Sequence, residues 1–152
     1  MISSPASSAD WQRHLLRAPE KIRSLLERIH RIAVLGIKME SFQPAYYVPE
    51  YAIQAGYEIV PVPVYYPEAR EIMGRPVFRT VASIPGEVDL VSVFRRAEHI
   101  PAHVDDILAK RPKAVWFQLG IVNDGAAETF ARAGIDVVQN RCLMVDLRRI
   151  GR

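Results

Sequence analysis

At 152 residues, 49% of them apolar and 24% charged, the chain has the size and composition of one globular domain with a buried core. No stretch approaches the roughly 20 consecutive apolar residues that a membrane-spanning helix needs, so a membrane protein is excluded on this reading. The net charge of +3 is modest and part of it sits in a basic tail of Arg148, Arg149 and Arg152, read as a solvated end. Nucleic-acid binding calls for a broader basic face with interleaved aromatics, and the sequence does not show one.

Residues 1–10 are rich in Ser and Ala and lack the basic-then-apolar layout of a secretion signal. They are expected to form a disordered leader, with one domain over 11–152. The single cysteine, Cys142, can form no intramolecular disulfide and no zinc site alone, and a reducing cytoplasm is the expected compartment.

Residues 11–30 have a helical pattern split by Pro19, with Leu15 and Leu16 in the first piece. In the second, Ile22, Leu25, Leu26 and Ile29 recur at i, i+3, i+4 and i+7, one apolar stripe. Pro19 suits the first helical position, where its missing N–H costs nothing. This helix is an extra layer on the domain, and its apolar face offers a contact for a second copy in a homodimer.

Arg31-Ile32-Ala33-Val34-Leu35-Gly36 is apolar on consecutive positions and closed by glycine, as a strand covered on both faces would be. A helix over 44–56 follows, with Tyr47, Val48, Tyr51 and Ala52 on its apolar side, and then a strand over 57–62. That completes a β-α-β unit. Prolines 63, 67, 76 and 85 interrupt the next segment, where a helical turn over 68–73 and a short strand over 76–78 are expected. Strands over 89–94, 114–119 and 135–139 alternate with helices marked by Ile100, Val104 and Ile107, by residues 123–133, and by 143–150. The alternation predicts an α/β, Rossmann-like, doubly wound and mostly parallel five-stranded sheet with helices on both faces.

In such a sheet ligands sit beyond the carboxyl ends of the strands, where strand order reverses. Four loops qualify. In the first, Gly36 permits a sharp turn and a close backbone approach, the next helix offers free N–H groups, Lys38 adds charge and Ser41 a hydroxyl. It is neither a G-x-G-x-x-G fingerprint nor a P-loop, so the motif alone fits a plain strand-to-helix loop equally well. The second loop follows Val62 and Pro63. The third carries Phe94, Arg95 and Arg96; the guanidinium fork suits phosphate, and pairing with Glu98 or Asp124 is the alternative. In the fourth, Gln118 could hydrogen-bond a ligand and Gly120 gives room, while Trp116 reads as core.

Taken in order, Ile32-Ala33-Val34-Leu35-Gly36, Gln43-Pro44-Ala45-Tyr46, Val93-Phe94-Arg95-Arg96, Trp116-Phe117-Gln118-Leu119-Gly120 and Asn140-Arg141-Cys142 resemble the small stand-alone CoA-binding proteins. Their domain is similar to the nucleotide-binding part of succinyl-CoA synthetase α subunits. The resemblance covers residues 25–150. It implies coenzyme A or an acyl-CoA as the ligand, with Gly36, Ile37, Lys38, Ser41 and Gln43 facing the phosphates. Val62 and Pro63 would border the adenosine end, and Phe94 and Arg95 the pyrophosphate or pantetheine. Arg96, Gln118 and Gly120 complete the expected set. Ile37-Lys38 stands where relatives carry Ala-Ser, so a β-branched side chain is expected to crowd the phosphates while Lys38 makes up charge.

No catalytic constellation is evident. His99 and His103 lie four apart on one helix face, a metal-compatible spacing without a third ligand, and no metal site is expected. For Cys142, a buried structural thiol and a reversible mixed disulfide with the CoA thiol are both open, and catalysis would require a stabilised thiolate. The expected function is therefore a CoA-binding module without chemistry of its own. An enzyme acting on an acyl-CoA, and a scaffold that lost its cofactor and serves as an interaction module, are the alternatives.

Overall fold

The computed structural model describes residues 10–152; the leader expected over 1–10 lies outside the described residues except for Asp10. Asp10–His14 forms a 3-10 turn, followed by α1 (Pro19–Arg28), β1 (Arg31–Leu35), α2 (Pro44–Gln54) and β2 (Glu58–Val62). A small hairpin, β3 (Glu71–Ile72) and β4 (Arg75–Pro76), precedes β5 (Leu90–Val93). A 3-10 segment over Ala97–His103 runs into α3 (Val104–Lys110), and β6 (Ala114–Phe117), α4 (Asp124–Arg132), β7 (Asp136–Val138) and α5 (Leu143–Arg149) complete the chain.

The main sheet has five strands in the order β2-β1-β5-β6-β7, and every neighbouring pair runs parallel. This is the Rossmann-like α/β arrangement that the alternation of elements predicts. Its strands are buried on consecutive positions because both faces are covered. Alternate residues serve opposite layers. Ile32, Val34, Ile59, Leu90 and Trp116 belong to the core under α1, α2 and α5. Ala33, Leu35, Val60, Val91 and Phe117 join the core completed by residues of α3 and α4. Pro19 and Pro44 open α1 and α2, where a missing N–H is harmless.

Two local expectations are corrected. Residues 68–73 form no helical turn; Met73 and Gly74 both take positive φ (55° and 73°), and the chain folds there into the β3–β4 hairpin. Leu15 and Leu16 are extended rather than helical, with the Leu16 N–H donating to the Val137 carbonyl at 2.8 Å beside the edge strand β7. The basic tail is exposed, as a solvated end is expected to be, and two of its arginines also contact tyrosines. Arg148 lies 5.0 Å from the Tyr51 ring centre, and Arg152 donates to the Tyr57 hydroxyl at 3.0 Å.

At the amino ends of the strands, Asp89 accepts from the backbone N–H groups of His30 (2.8 Å) and Arg31 (2.9 Å) and pairs with Lys113 (3.2 Å). Burial pushes its carboxyl pKa up, but the two N–H donors and Lys113 outweigh burial and hold it below the ordinary value. The stability it contributes is present above the ordinary carboxylate range and is lost as pH falls through the lowered value. Asp89→Ala should cost about 1–3 kcal/mol in urea unfolding at neutral pH. The difference from wild type should shrink in acid, and a gap that persists below the carboxylate range would show that the charge is not responsible.

Candidate functional site

From β1 the sheet grows outward in both directions, to β2 on one side and β5 on the other, so the carboxyl ends of β1 and β5 flank the point where strand order reverses. The loop after β1 begins with Gly36 at φ +85°, its N–H donating to the Val62 carbonyl at 2.9 Å. A Cβ at this position would lie 2.3 Å from the Phe94 carbonyl oxygen and 3.4 Å from Arg95 Cδ. The close approach that requires glycine is thus to the end of β5. Ile37 turns inward and is 1% exposed in the core on the α2 side, so its side chain does not crowd the loop's outer surface.

Lys38 is half-buried, its ammonium 4.2 Å from the Tyr65 ring centre. The neighbouring Tyr66 donates its hydroxyl hydrogen to Glu40 (2.7 Å) and accepts from the Met39 N–H (3.1 Å). Burial, reinforced by the Glu40 carboxylate, raises the Tyr66 pKa above its ordinary value, so the hydroxyl stays protonated as a donor. The loop after β2 therefore braces the loop after β1.

These loops border a cleft of about 360 Å³. One part of its lining is cationic or polar: Lys38, Gln43, Arg95, Arg96 and Gln118. The other is apolar, from Tyr47, Val48, Phe94, Leu119 and Ile121, with Pro44, Ala45 and Cys142 beside them. No Asp or Glu belongs to the lining. Among the described residues, Lys38, Arg95 and Arg96 form no ion pair, so the alternative pairing with Glu98 or Asp124 is not adopted. Arg95 instead donates from Nε to His103 Nε2 at 3.3 Å, which requires that nitrogen to be unprotonated. Burial lowers the His103 pKa first, the Arg95 charge and His99 add to it, and Asp106 opposes.

Six of the expected residues thus meet in one cleft: Lys38, Gln43, Phe94, Arg95, Arg96 and Gln118. Gly36, Val62 and Pro63 are buried behind it, Ile37 is in the core, and Ser41 and Gly120 are exposed outside the lining. Gln118 is 4% exposed and already engaged; its amide donates to Ser92 Oγ (2.8 Å) and its carbonyl accepts from the Leu143 N–H (3.3 Å). It stitches the ends of β5 and β6 to the start of α5. Trp116 lies fully in the core, with Nε1 donating to the Arg141 carbonyl at 2.8 Å.

Sequence reasoning did not place Tyr47, Leu119 or Ile121 in the site, and for Cys142 it left open a buried structural thiol and a mixed disulfide with the CoA thiol. The readable signal was the Asn140-Arg141-Cys142 segment. Asn140 Oδ1 accepts from the Gly120 N–H at 2.7 Å, Arg141 makes two hydrogen bonds to the buried Asp146 (2.8 and 2.6 Å), and Cys142 is half-buried at the cleft wall. The Asp146 hydrogen bonds, outweighing burial, raise the Arg141 pKa above its ordinary value. His99 is exposed, and among the described residues no group of three or more His, Cys, Asp or Glu is placed to hold a metal ion.

A parallel α/β sheet with a cationic cleft at its reversal point defines a Rossmann-like ligand-binding scaffold. The chain belongs to the CoA binding domain family, whose model matches residues 30–148. It is 32% identical over 125 residues to the uncharacterized protein YneT of Bacillus subtilis, covering 82% of this chain and 90% of that one. A Thermus thermophilus structure superposes with a TM-score of 0.81 at 34% identity, covering 88% of this chain and 99% of that one. A hypothetical protein from Pyrococcus horikoshii gives 0.81 at 28% identity, covering 99% of both chains.

Two outcomes follow from this geometry. Gly36→Ala meets both a positive φ and the Phe94 carbonyl, and should destabilise the fold by roughly 3 kcal/mol or more, read as a lowered urea midpoint; an unchanged midpoint would contradict the close approach. In an NMR titration, His103 should change charge below the ordinary histidine value of about 6.5, and Arg95→Ala should move the midpoint up. Since the folded state resists this protonation, stability should fall as pH drops through the ordinary value. A midpoint unmoved by Arg95→Ala would mean that the two side chains do not interact in solution.

Proposed function

We propose that this protein binds coenzyme A, with the phosphates held at the mouth of the first strand–helix turn by Lys38, Arg95 and Arg96. The observation that carries this reading is three cations lining one cleft whose lining includes no carboxylate, the nearby Glu40 being engaged by Tyr66 and Gln43. Like charges gathered without counter-charge repel one another, and an anionic ligand relieves that repulsion. Arginine's planar fork suits a pyrophosphate, and Lys38 adds a point charge held over the Tyr65 ring. Membership of the CoA binding domain family supports the identity of the anion.

Phe94 and Val48, on the apolar side of the cleft, are suited to the pantetheine arm, whose methylenes and geminal methyl groups tolerate an apolar wall. Gln118 acts through position, because its amide is spent on Ser92 and the Leu143 N–H. The protein is a binder rather than a catalyst on this reading. The described cleft lining contains no His, Asp or Glu to serve as general acid or base.

Calorimetric titration under reducing conditions tests the reading. CoA should bind near one site per chain, and NADH much more weakly. Arg95→Ala and Lys38→Ala should each lower CoA affinity about 10-fold or more, the usual scale for losing a charge-assisted contact. Arg132→Ala, on α4 away from the cleft, serves as the surface control. Absence of heat and of thermal shift at millimolar CoA would overturn the proposal and favour a scaffold without this cofactor.

A further inference from the structure

The apolar side of the cleft is more than a wall, because its most prominent side chain is mounted in solvent. Leu119 is 69% exposed and Tyr47 37%, although both line the cleft. Scattered exposed apolar residues are ordinary, but here the exposed side chains adjoin Val48 and Ile121 in the same lining. Met39 and Phe42, also exposed, belong to the loop that runs from Gly36 to Gln43 at the edge of the same cleft.

Leu119 is held there rigidly. The Ile121 N–H donates to the Gln118 carbonyl at 2.9 Å, closing a four-residue turn. Its third residue, Gly120, sits at φ +87°, as the third position of a type II turn requires, which leaves Leu119 at the second. Asn140 clasps the turn from outside: Oδ1 accepts from the Gly120 N–H at 2.7 Å, and the Asn140 N–H donates to the Ile121 carbonyl at 3.1 Å. Gln118, where the turn begins, is fixed from below by Ser92. A leucine held out of the core on so well-braced a turn presents a fixed apolar surface. The same cleft carries three cations and no carboxylate, so the complementary ligand is anionic at one end and apolar at the other.

We propose that the physiological ligand is a CoA thioester with a short apolar acyl chain, and that Leu119, Tyr47 and Ile121 form the seat for that chain. The inference rests on the CoA reading and narrows it from the free thiol to an acyl thioester. Free CoA ends in a small polarisable thiol and gives Leu119 little to cover it; an acyl chain removes that side chain from water.

Affinities of free CoA and of acetyl-, butyryl- and hexanoyl-CoA, measured by calorimetry on the full chain, test it. The expected result is a rise of about two- to fourfold per added methylene, the scale of partial to full apolar burial. Leu119→Ser should flatten that dependence on chain length, whereas Thr129→Ala, on the exposed side of α4, should keep it. Equal affinity for CoA and all three thioesters would overturn the acyl seat while leaving CoA binding in place; failure of every ligand to bind would overturn both. A slope that survives Leu119→Ser would overturn the assignment of the seat. So would a concentration-dependent dimer in sedimentation that Leu119→Ser abolishes, since a second copy would then cover this edge.

Discussion

The geometry at the mouth of the cleft depends on how closely the backbone at residue 36 approaches the carbonyl of Phe94. With 2.3 Å between that oxygen and the place a Cβ would occupy, any side chain would force the ends of β1 and β5 apart. These two strands flank the reversal of strand order, where the sheet splays its connections to opposite sides and opens a crevice. The stem of Arg95 passes over the glycine, with Cδ 3.4 Å from the same hypothetical Cβ. The missing side chain therefore serves two purposes: it lets the ends of β1 and β5 approach, and it leaves room for the Arg95 stem beside residue 36.

Charge is distributed along the strands in a way that suits this crevice. Carboxylates are used at the amino ends, where Arg31 pairs with Glu58 at 2.9 Å, Lys113 with Asp89 at 3.2 Å and Arg28 with Asp136 at 3.0 Å. For two cations of the cleft the orienting partners are neutral, the Tyr65 ring for Lys38 and the His103 imidazole for Arg95, whereas Arg141, outside the lining, is paired with Asp146. A neutral partner fixes direction without cancelling charge. The outward potential of three cations is thereby kept for an incoming anion, at a cost that an open, hydrated cleft keeps small.

The architecture was legible because its signals are strong and local. The runs 32–35 and 114–117, apolar throughout, and 90–93, interrupted only by Ser92, read as strands covered on both faces, and Pro19 and Pro44 mark helix starts. Legibility failed where tertiary contacts override local pattern. Leu15 and Leu16 read as helical, yet the open edge of β7 offers them a backbone partner. The segment over 68–73 reads as a helical turn, but the hairpin depends on a pair of left-handed residues, one of them a methionine, which no simple turn signature flags. At the site, charge and loop position were enough to bring Lys38, Arg95 and Arg96 together. The direction of a side chain was not readable: nothing in Gly36-Ile37-Lys38 says that Ile37 turns into the core, or that Gln118 spends its amide on Ser92. Leu119 and Tyr47 escaped notice because exposed apolar residues look like core until burial is known.

The bracing of the loops bears on affinity as much as on shape. Association costs free energy whenever loops and rotamer-rich side chains must be ordered at the site. Here the Tyr66–Glu40 contact orders the first loop, the Asn140 clasp orders the turn that carries Leu119, and Gln118 ties that turn to β5 and α5. The bidentate Arg141–Asp146 pair anchors the chain between Asn140 and Cys142, so the clasp itself is fixed. Most of the ordering has thus been done on folding, and it rests on residues that need not touch the ligand. An anion that enters finds its cations already aimed, and an apolar tail finds a surface already exposed. On the proposed acyl-CoA reading, the part of the ligand that discriminates is the part that meets Leu119 and Tyr47, the exposed apolar side chains of this cleft.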